Sequence, residues 1–208
     1  AAATEIRQLV QVDTSGHDLS SLRLSVSAGE SVNPEIVRAW SDKTGALLLD
    51  GYGQTETLMT VLNYPQMAVK PGAMGKPLPG TEVAILAEDG SETPTGTPGQ
   101  LAIRCPHPQL MLGYWDNPGK TAESYQTVDG VTWFLTGDTA SMDADGYLFF
   151  GGRDDDVINS SGYRIGPMEV ENALMEHEAV LECAAVASPC ETRGEVVKAF
   201  IILKSGYT

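Results

Sequence analysis

The run ALLLD, at positions 46–50, is the sequence feature that most constrains the fold of this chain. A short, uninterrupted apolar run of this kind suits a strand that is buried on both faces. The residues before it predict a helix, with Asn33 as the N-cap, Pro34 in the first turn and Gly45 as the stop. An earlier strand is predicted from Leu22 to Val26. The order strand, helix, strand predicts a parallel α/β layer.

Proline and glycine become frequent after Tyr64, and short strand candidates alternate with turns. A loop is expected after Leu135, followed by an Asp145-Gly146 turn and a further strand. Turn signals at such short intervals predict a small β-barrel or sheet. The strand candidates of this part are residues 81–87, 100–105, 133–135 and 147–150.

The last quarter of the chain has a different pattern. A break is predicted at residues 151–166, where two glycines and an arginine precede three consecutive aspartates. A helix over 166–180 follows, with an apolar stripe of Met168, Val170, Ala173 and Leu174, and then two strands of a second small sheet. The predicted fold class is therefore α/β and β. Its parts are an α/β layer (1–75), a β-barrel (76–152), a hinge (153–156) and the start of an α+β module (157–208).

Composition excludes some classes of partner. The net charge of −15 and the pI near 4.4 argue against nucleic acid or an anionic membrane as the main partner. They do not argue against ATP, because a few local cations and a magnesium ion can hold phosphates on an acidic protein. The three cysteines follow no metal-ligand spacing and suggest a reduced, intracellular setting. Neither a signal peptide nor a membrane-spanning apolar run is apparent in the sequence.

Four motifs stand in order along the chain: SAGES (27–31), DGYGQTE (50–56), FLTGD (134–138) and GRDDDVINSSGYRIGPMEVE (152–171). Together they resemble the adenylate-forming superfamily of acyl-CoA synthetases, luciferases and peptide-synthetase adenylation domains. Within this superfamily, the residues of the motifs are most similar to those of the medium-chain acyl-CoA synthetases. The resemblance covers essentially the whole chain. It implies the C-terminal part of the N-domain of these enzymes, followed by the start of their C-terminal domain.

The resemblance implies that the DGYGQTE motif faces ATP and the carboxylate substrate. Thr55 would hydrogen-bond the α-phosphate, and Glu56 would hold Mg²⁺. Attack of a carboxylate on the α-phosphorus builds negative charge, which a metal ion and fixed donors neutralise. Asp50, Tyr52 and Gln54 would border the nucleotide. The alternative for Thr55 and Glu56 is a solvated turn.

Two further motifs carry nucleotide contacts by resemblance. Gly29 and Glu30 match the loop beneath the adenine ring, although AGES also suits an ordinary strand-to-helix turn. Asp138 matches the aspartate that accepts hydrogen bonds from both ribose hydroxyls. The alternative for Asp138 is a structural aspartate in a hairpin.

The last motif carries the second half-reaction by resemblance. Arg153 would reach the ribose or a phosphate, and Asp155 matches the pivot about which the C-terminal module rotates. Gly162 would line the tunnel for the CoA thiol arm, and Arg164 would meet a phosphate. Arg193 falls where relatives contact CoA, and an ordinary surface arginine is the alternative.

Gly53 is assigned to the acyl pocket. Acetyl-CoA synthetases carry a tryptophan at the matching place, so glycine would leave room for a longer acyl chain. The alternative is that Gly53 serves only the backbone conformation.

The expected function is that of a segment of an ATP-dependent acyl-CoA synthetase, which forms acyl-AMP and transfers the acyl group to CoA. The family's phosphate loop and C-terminal lysine have no counterpart between positions 1 and 208, so the isolated chain is expected to be inactive. Expected partners are a small carboxylate, ATP/AMP, Mg²⁺ and CoA, in the cytoplasm or the mitochondrial matrix, with the oligomeric state open. Two alternatives are an adenylation domain that loads a carrier protein and a non-catalytic nucleotide-binding module.

Overall fold

The computed structural model of the chain describes residues 1–29, 32–70, 72–153, 156–161 and 163–207, except for the side chain of Arg164. The chain forms two units. The first comprises Ala1–Thr136 and Ala140–Phe149, and the second comprises Gly137–Thr139 and Phe150–Thr208.

A four-stranded sheet with two helices forms the start of the first unit. Its strands lie in the order β1-β2-β3-β4; β1 and β2 are parallel, and the remaining pairs are antiparallel. Buried side chains of both helices pack with Leu48 of the sheet. The elements are α1 (Ala3–Leu9), β1 (Leu24–Ala28), α2 (Pro34–Thr44), β2 (Leu47–Gln54), β3 (Leu58–Leu62) and β4 (Lys76–Pro77).

The predicted strand, helix and strand are confirmed, with one shift. The Asn33 side chain accepts a hydrogen bond from the Glu35 N–H at 2.8 Å, and Gly45 ends α2 in the left-handed region with φ of 70°. Strand β1 begins two residues later than predicted, because Leu22 still belongs to a turn in which its N–H donates to the Leu19 carbonyl.

A five-stranded sheet follows, in the order β5-β6-β8-β7 with β9 paired to β8. The loop expected after Leu135 is wrong, because β8 continues through Thr136, Gly137 and Asp138. Gly137 takes φ of 73° within β8, a conformation that glycine can adopt inside an extended segment. The elements are β5 (Val83–Leu86), β6 (Gly99–Arg104), α3 (Pro118–Glu123), β7 (Tyr125–Val128), β8 (Val131–Met142) and β9 (Leu148–Arg153).

A four-stranded antiparallel sheet and one helix make up most of the second unit. The break expected at 151–166 instead holds the end of β9 and two short paired strands, and the helix ends at Met175 rather than at 180. Ala173 is exposed and does not belong to a buried stripe. The elements are β10 (Ile158–Ser160), β11 (Tyr163–Ile165), α4 (Pro167–Met175), β12 (Val180–Cys190) and β13 (Gly194–Leu203).

All three cysteines are free. Among the described residues, no helix has the length and apolar character needed to cross a lipid bilayer.

Candidate active site

The DGYGQTE motif forms the end of β2 and the turn of a β-hairpin. Gln54 pairs with Leu58, so the connection between β2 and β3 is the three residues Thr55–Thr57. Leu58, the first residue of β3, takes φ of 52°, which lies in the left-handed region. We call residues 55–57 the hairpin loop. Thr55 is exposed in this loop, and Glu56 is half-buried.

Thr57 fixes the shape of the hairpin loop from inside. Its hydroxyl accepts from the Gln54 N–H at 3.1 Å and donates to the Leu58 carbonyl at 2.9 Å. The residue is fully buried, so these bonds are shielded from water. The hairpin loop thus presents Thr55 and Glu56 from a fixed backbone.

Gly53 lies directly against the backbone of β3. A Cβ atom at this position would lie 2.0 Å from the Leu58 carbonyl oxygen and 2.8 Å from Met59 Cα. The pairing register also shifts between Tyr52 and Gly53, which marks a bulge. The backbone of the hairpin therefore requires glycine here, whether or not the position also borders an acyl pocket.

The Glu56 carboxylate is held by a residue that the sequence analysis missed. Its Oε1 accepts from the Tyr114 hydroxyl at 3.0 Å, and its main-chain carbonyl accepts from the Met111 N–H at 2.7 Å. Among the described residues, none hydrogen-bonds Oε2 of Glu56. The contact with Tyr114 spans 58 positions, so no local sequence pattern could reveal it.

The residues around Glu56 fit a magnesium ion that takes most of its ligands from a substrate. Mg²⁺ in nucleotide enzymes is typically bound by one or two carboxylates, with phosphates and water completing the shell. Glu56 offers one such carboxylate, with one oxygen oriented by Tyr114. No group of three or more His, Cys, Asp or Glu side chains that could bind a metal occurs in the described part of the chain. The Glu56 carboxylate thus fits a cation whose remaining ligands come from phosphates and water.

The predicted nucleotide-bordering residues of β2 differ in their surroundings. Tyr52 is 8% exposed, and the Gln54 side-chain amide donates to the Thr136 carbonyl at 2.9 Å. Gly29 follows the end of β1 with φ of 92°, and Ala28, just before it, pairs with Gly51. Gly29 and the β2 residues thus lie towards the carboxyl ends of two parallel strands, where α/β sheets bind ligands. Glu30 lies outside the described residues.

Asp50 is a buried carboxyl at this same end of the sheet. Burial raises its pKa from 3.8 to about 7, although hydrogen bonds from the Gly51 and Val32 backbones oppose the rise. The Gly51 bond to Oδ1 measures 2.9 Å. Ser27 pairs with Asp50 in the neighbouring strand, and its buried hydroxyl has no described hydrogen-bond partner. A buried carboxyl and a buried hydroxyl therefore lie on paired residues of β2 and β1.

The second unit brings together two of the predicted ribose and phosphate residues. Asp138 is 4% exposed in β8, and Arg153 at the end of β9 places its Nε 3.6 Å from Asp138 Oδ1. The Arg153 side chain is 58% exposed, so its guanidinium reaches solvent. Asp138 is thus a buried strand residue beside a cation.

The segments predicted to meet CoA also approach each other within the second unit. The Ser161 N–H donates to the Arg193 carbonyl at 2.9 Å, and Ser160 pairs with Gly194. Asp155 and Gly162 lie outside the described residues, and Arg164 is described only by its main chain in β11.

Family models match two stretches of the chain. The model described as AMP-binding enzyme matches residues 2–115, and the model described as AMP-binding enzyme C-terminal domain matches residues 169–208. The chain therefore belongs to the AMP-binding enzyme family.

Curated relatives and solved structures agree with this assignment. The acyl-coenzyme A synthetase ACSM3, mitochondrial, of Mus musculus is 49% identical over 211 residues, which cover 100% of this chain and 36% of that protein. ACSM5, mitochondrial, of Homo sapiens is 48% identical over 208 residues, covering 99% of this chain and 35% of that protein. The chain thus spans just over a third of the length of these relatives.

Among solved structures, the anthranilate CoA ligase AuaEII in complex with anthranoyl-AMP aligns with a TM-score of 0.88 at 37% identity. The alignment covers all of this chain and 39% of the ligase. ATP-bound MatB from Rhodopseudomonas palustris aligns with a TM-score of 0.89 at 32% identity, over all of this chain and 41% of MatB. The predicted fold class and family resemblance are confirmed.

Proposed function

We propose that the chain is a segment of an AMP-forming acyl-CoA synthetase. The whole enzyme activates a carboxylic acid, with medium-chain fatty acids as the preferred class, to acyl-AMP and pyrophosphate, and the CoA thiol then displaces AMP. The curated relatives named above are acyl-coenzyme A synthetases of about half-identical sequence, which supports this reaction over transfer to a carrier protein.

The hairpin loop is the observation that carries the proposal. Glu56 has one carboxylate oxygen bonded to Tyr114, and its other oxygen is the proposed Mg²⁺ ligand. The bound Mg²⁺ would neutralise phosphate charge that develops as the acid attacks. Thr55 is exposed beside Glu56, and its hydroxyl is the proposed donor to the α-phosphate. Tyr52, Gln54, Asp50, Gly29 and Glu30 are proposed to border the nucleotide, with Gly53 on the acyl side.

In the second unit, Asp138 is the proposed acceptor for the ribose hydroxyls. Arg153 already lies beside this carboxylate and is proposed to meet the ribose or a phosphate. Asp155 is the proposed pivot between the half-reactions, within a hinge at 153–156 that separates the partial domains 1–152 and 157–208. Gly162 and Arg164 are proposed to meet the CoA arm and a phosphate.

The mitochondrial names of the curated relatives support a mitochondrial location for the whole enzyme. Its proposed partners are small molecules: a carboxylate, ATP with Mg²⁺, and CoA.

A segment exchange tests the proposed reaction. The mouse ACSM3 relative matches the full length of this chain, so the chain can replace the matching segment of that enzyme. We call the resulting hybrid, in which this chain replaces the matching ACSM3 segment, the exchange enzyme. When folded, it should convert octanoate, ATP and CoA into octanoyl-CoA, AMP and pyrophosphate. Formation of ADP and phosphate, or loss of all acid-dependent turnover in an exchange enzyme with an intact thermal transition, would contradict the proposal.

The pivot role of Asp155 has a separate test in the same exchange enzyme. Proline fixes φ near −65° and so opposes backbone rotation at a hinge. Asp155→Pro should leave acyl-AMP formation near its original rate and depress thioester formation. Equal losses in the two half-reactions would show that Asp155 is not the pivot.

A further inference from the structure

A loop far along the chain contacts the hairpin loop and β3. We call residues 109–117 the aromatic loop, after its Tyr114 and Trp115. Its Met111 N–H donates to the Glu56 carbonyl at 2.7 Å, and its Gln109 side-chain amide donates to the Met59 carbonyl at 3.1 Å. The aromatic loop therefore holds the main chain of the hairpin as well as the Glu56 carboxylate.

The aromatic loop is itself fixed by its connection to α3. Thr121 accepts from the Tyr114 N–H at 2.9 Å through its hydroxyl, which also donates to the Asn117 carbonyl at 3.0 Å. Asn117 caps α3 by accepting from the Lys120 N–H at 3.0 Å. The backbone of Tyr114 is thus anchored independently of its contact with Glu56.

Tyr114 differs from the other large side chains around it. Leu112 and Trp115 are 105% and 97% exposed, whereas Tyr114 is half-buried and donates its hydroxyl proton to Glu56 Oε1. A hydrogen bond to an ionised carboxylate is stronger than one between neutral groups and restricts rotation of the acceptor. The anchored phenol therefore favours one orientation of the Glu56 carboxylate.

We propose that Tyr114 is a positioning residue for the metal site: its hydroxyl holds Oε1 of Glu56 so that Oε2 points to the cation of a metal–nucleotide complex. The inference rests on the proposed metal role of Glu56. Partners that orient a metal-binding carboxylate typically contribute tenfold to a hundredfold to metal affinity. Loss of the Tyr114 hydroxyl should therefore weaken metal–nucleotide binding about tenfold without unfolding the hairpin.

The test uses Mn²⁺ with ATP as a paramagnetic probe on the isotope-labelled exchange enzyme. In the exchange enzyme without further substitutions, Mn²⁺·ATP should broaden the backbone amide signals of the hairpin loop. Tyr114→Phe should require about ten times more Mn²⁺·ATP for the same broadening. Its amide spectrum away from the aromatic loop and its melting temperature should stay unchanged.

Two further variants serve as references. Tyr64→Phe removes a matched half-buried tyrosine hydroxyl, which donates to the Pro77 carbonyl at 3.1 Å, and it should bind Mn²⁺·ATP like the wild type. Glu56→Gln should abolish the broadening, and adding Tyr114→Phe to it should cause no further change, because Tyr114 acts through Glu56.

The outcomes separate this inference from the proposed function. Wild-type affinity in Tyr114→Phe, together with loss of binding in Glu56→Gln, would overturn the role of Tyr114 and leave the metal role of Glu56 standing. Unchanged broadening in Glu56→Gln, or none in the exchange enzyme without further substitutions, would overturn both. If Tyr114→Phe loses its folded spectrum, Thr121→Val decides. This variant removes the hydroxyl that accepts from the Tyr114 N–H but keeps the phenol, so weaker Mn²⁺·ATP binding in it would support the inference and unchanged binding would overturn it.

Discussion

Asp50 shows how the fold controls the charge of one side chain. Burial raises its pKa from 3.8 to about 7, so the folded chain favours the protonated carboxyl. The pKa of Asp50 is higher in the folded state than in the unfolded state. The contribution of Asp50 to the free energy of unfolding is therefore complete below pH 4 and is lost as the pH rises through 7. A carboxyl at the end of two parallel strands is thus neutral over much of the acidic range and increasingly ionised above it.

Asp50→Asn removes this pH dependence and keeps an oxygen that accepts from the Gly51 N–H. The unfolding free energy of the variant minus that of the wild type should increase by on the order of 3 kcal/mol when the pH is raised from 4 to 8. Urea titrations at both values measure the difference. Asp89→Asn should respond with the opposite sign, because hydrogen bonds from Ser91 lower the pKa of that exposed aspartate. If the difference in unfolding free energy between Asp50→Asn and the wild type does not change with pH, the raised pKa of Asp50 is contradicted.

Gly53 provides a test of backbone packing against pocket depth. Gly53→Ala would place a Cβ against the Leu58 backbone, and such overpacking costs about 1–3 kcal/mol of stability. Gly16→Ala is the matched control, because a Cβ at that position would meet no atom within 4 Å. In the exchange enzyme, Gly53→Trp should lower activity on acetate, butyrate and octanoate alike. A stable Gly53→Trp enzyme that shifts preference towards acetate would show that the position sets acyl-chain length.

At the scale of elements, the hairpin of β2 and β3 is the structure that presents the proposed chemistry. Thr57→Val keeps the shape of the side chain but removes the hydroxyl that bonds Gln54 and Leu58. Leaving these buried groups without partners should cost about 1–3 kcal/mol in chemical denaturation. Thr57→Ser should restore most of that loss, and Thr127→Val, at an exposed hydroxyl, should have little effect. Equal stability of Thr57→Val and wild type would mean that the hydroxyl does not hold the hairpin loop.

The elements that could be predicted from sequence are those specified by neighbouring residues. Helix α2 was predicted with its cap and stop because Asn33, Pro34 and Gly45 act within one turn of the helix ends. The loop predicted after Leu135 was wrong because Gly137 suggests a turn locally, whereas pairing with distant strands keeps β8 extended.

The candidate site likewise has features that could be predicted from sequence and features that could not. The side chains of the hairpin loop could be named from the motif, but the geometry that orients them could not. Tyr114 reaches Glu56 across 58 positions, and the ion pair of Arg153 with Asp138 depends on where β8 and β9 lie in the fold. The close approach of Gly53 to Leu58 likewise depends on the pairing register. Long-range contacts of this kind leave no periodic signal in the sequence.

At the scale of the whole molecule, the two units divide the proposed work. The first unit carries the hairpin loop and the aromatic loop, and the second carries Asp138, Arg153 and the segments predicted to meet CoA. The net charge of −15 makes local cations and a metal ion important for holding ATP phosphates. Glu56, the carboxylate proposed to bind the metal, is therefore the central residue of the proposed function.

Acid-dependent exchange of labelled pyrophosphate into ATP tests that claim most directly. In the exchange enzyme, Glu56→Gln should lower the exchange rate at least about a hundredfold, because charge stabilisation of the reacting phosphates is lost. The control is Glu123→Gln, at an exposed glutamate at the end of α3, which should leave the rate unchanged. A folded Glu56→Gln enzyme that exchanges pyrophosphate at the rate of the Glu123→Gln control would contradict the account.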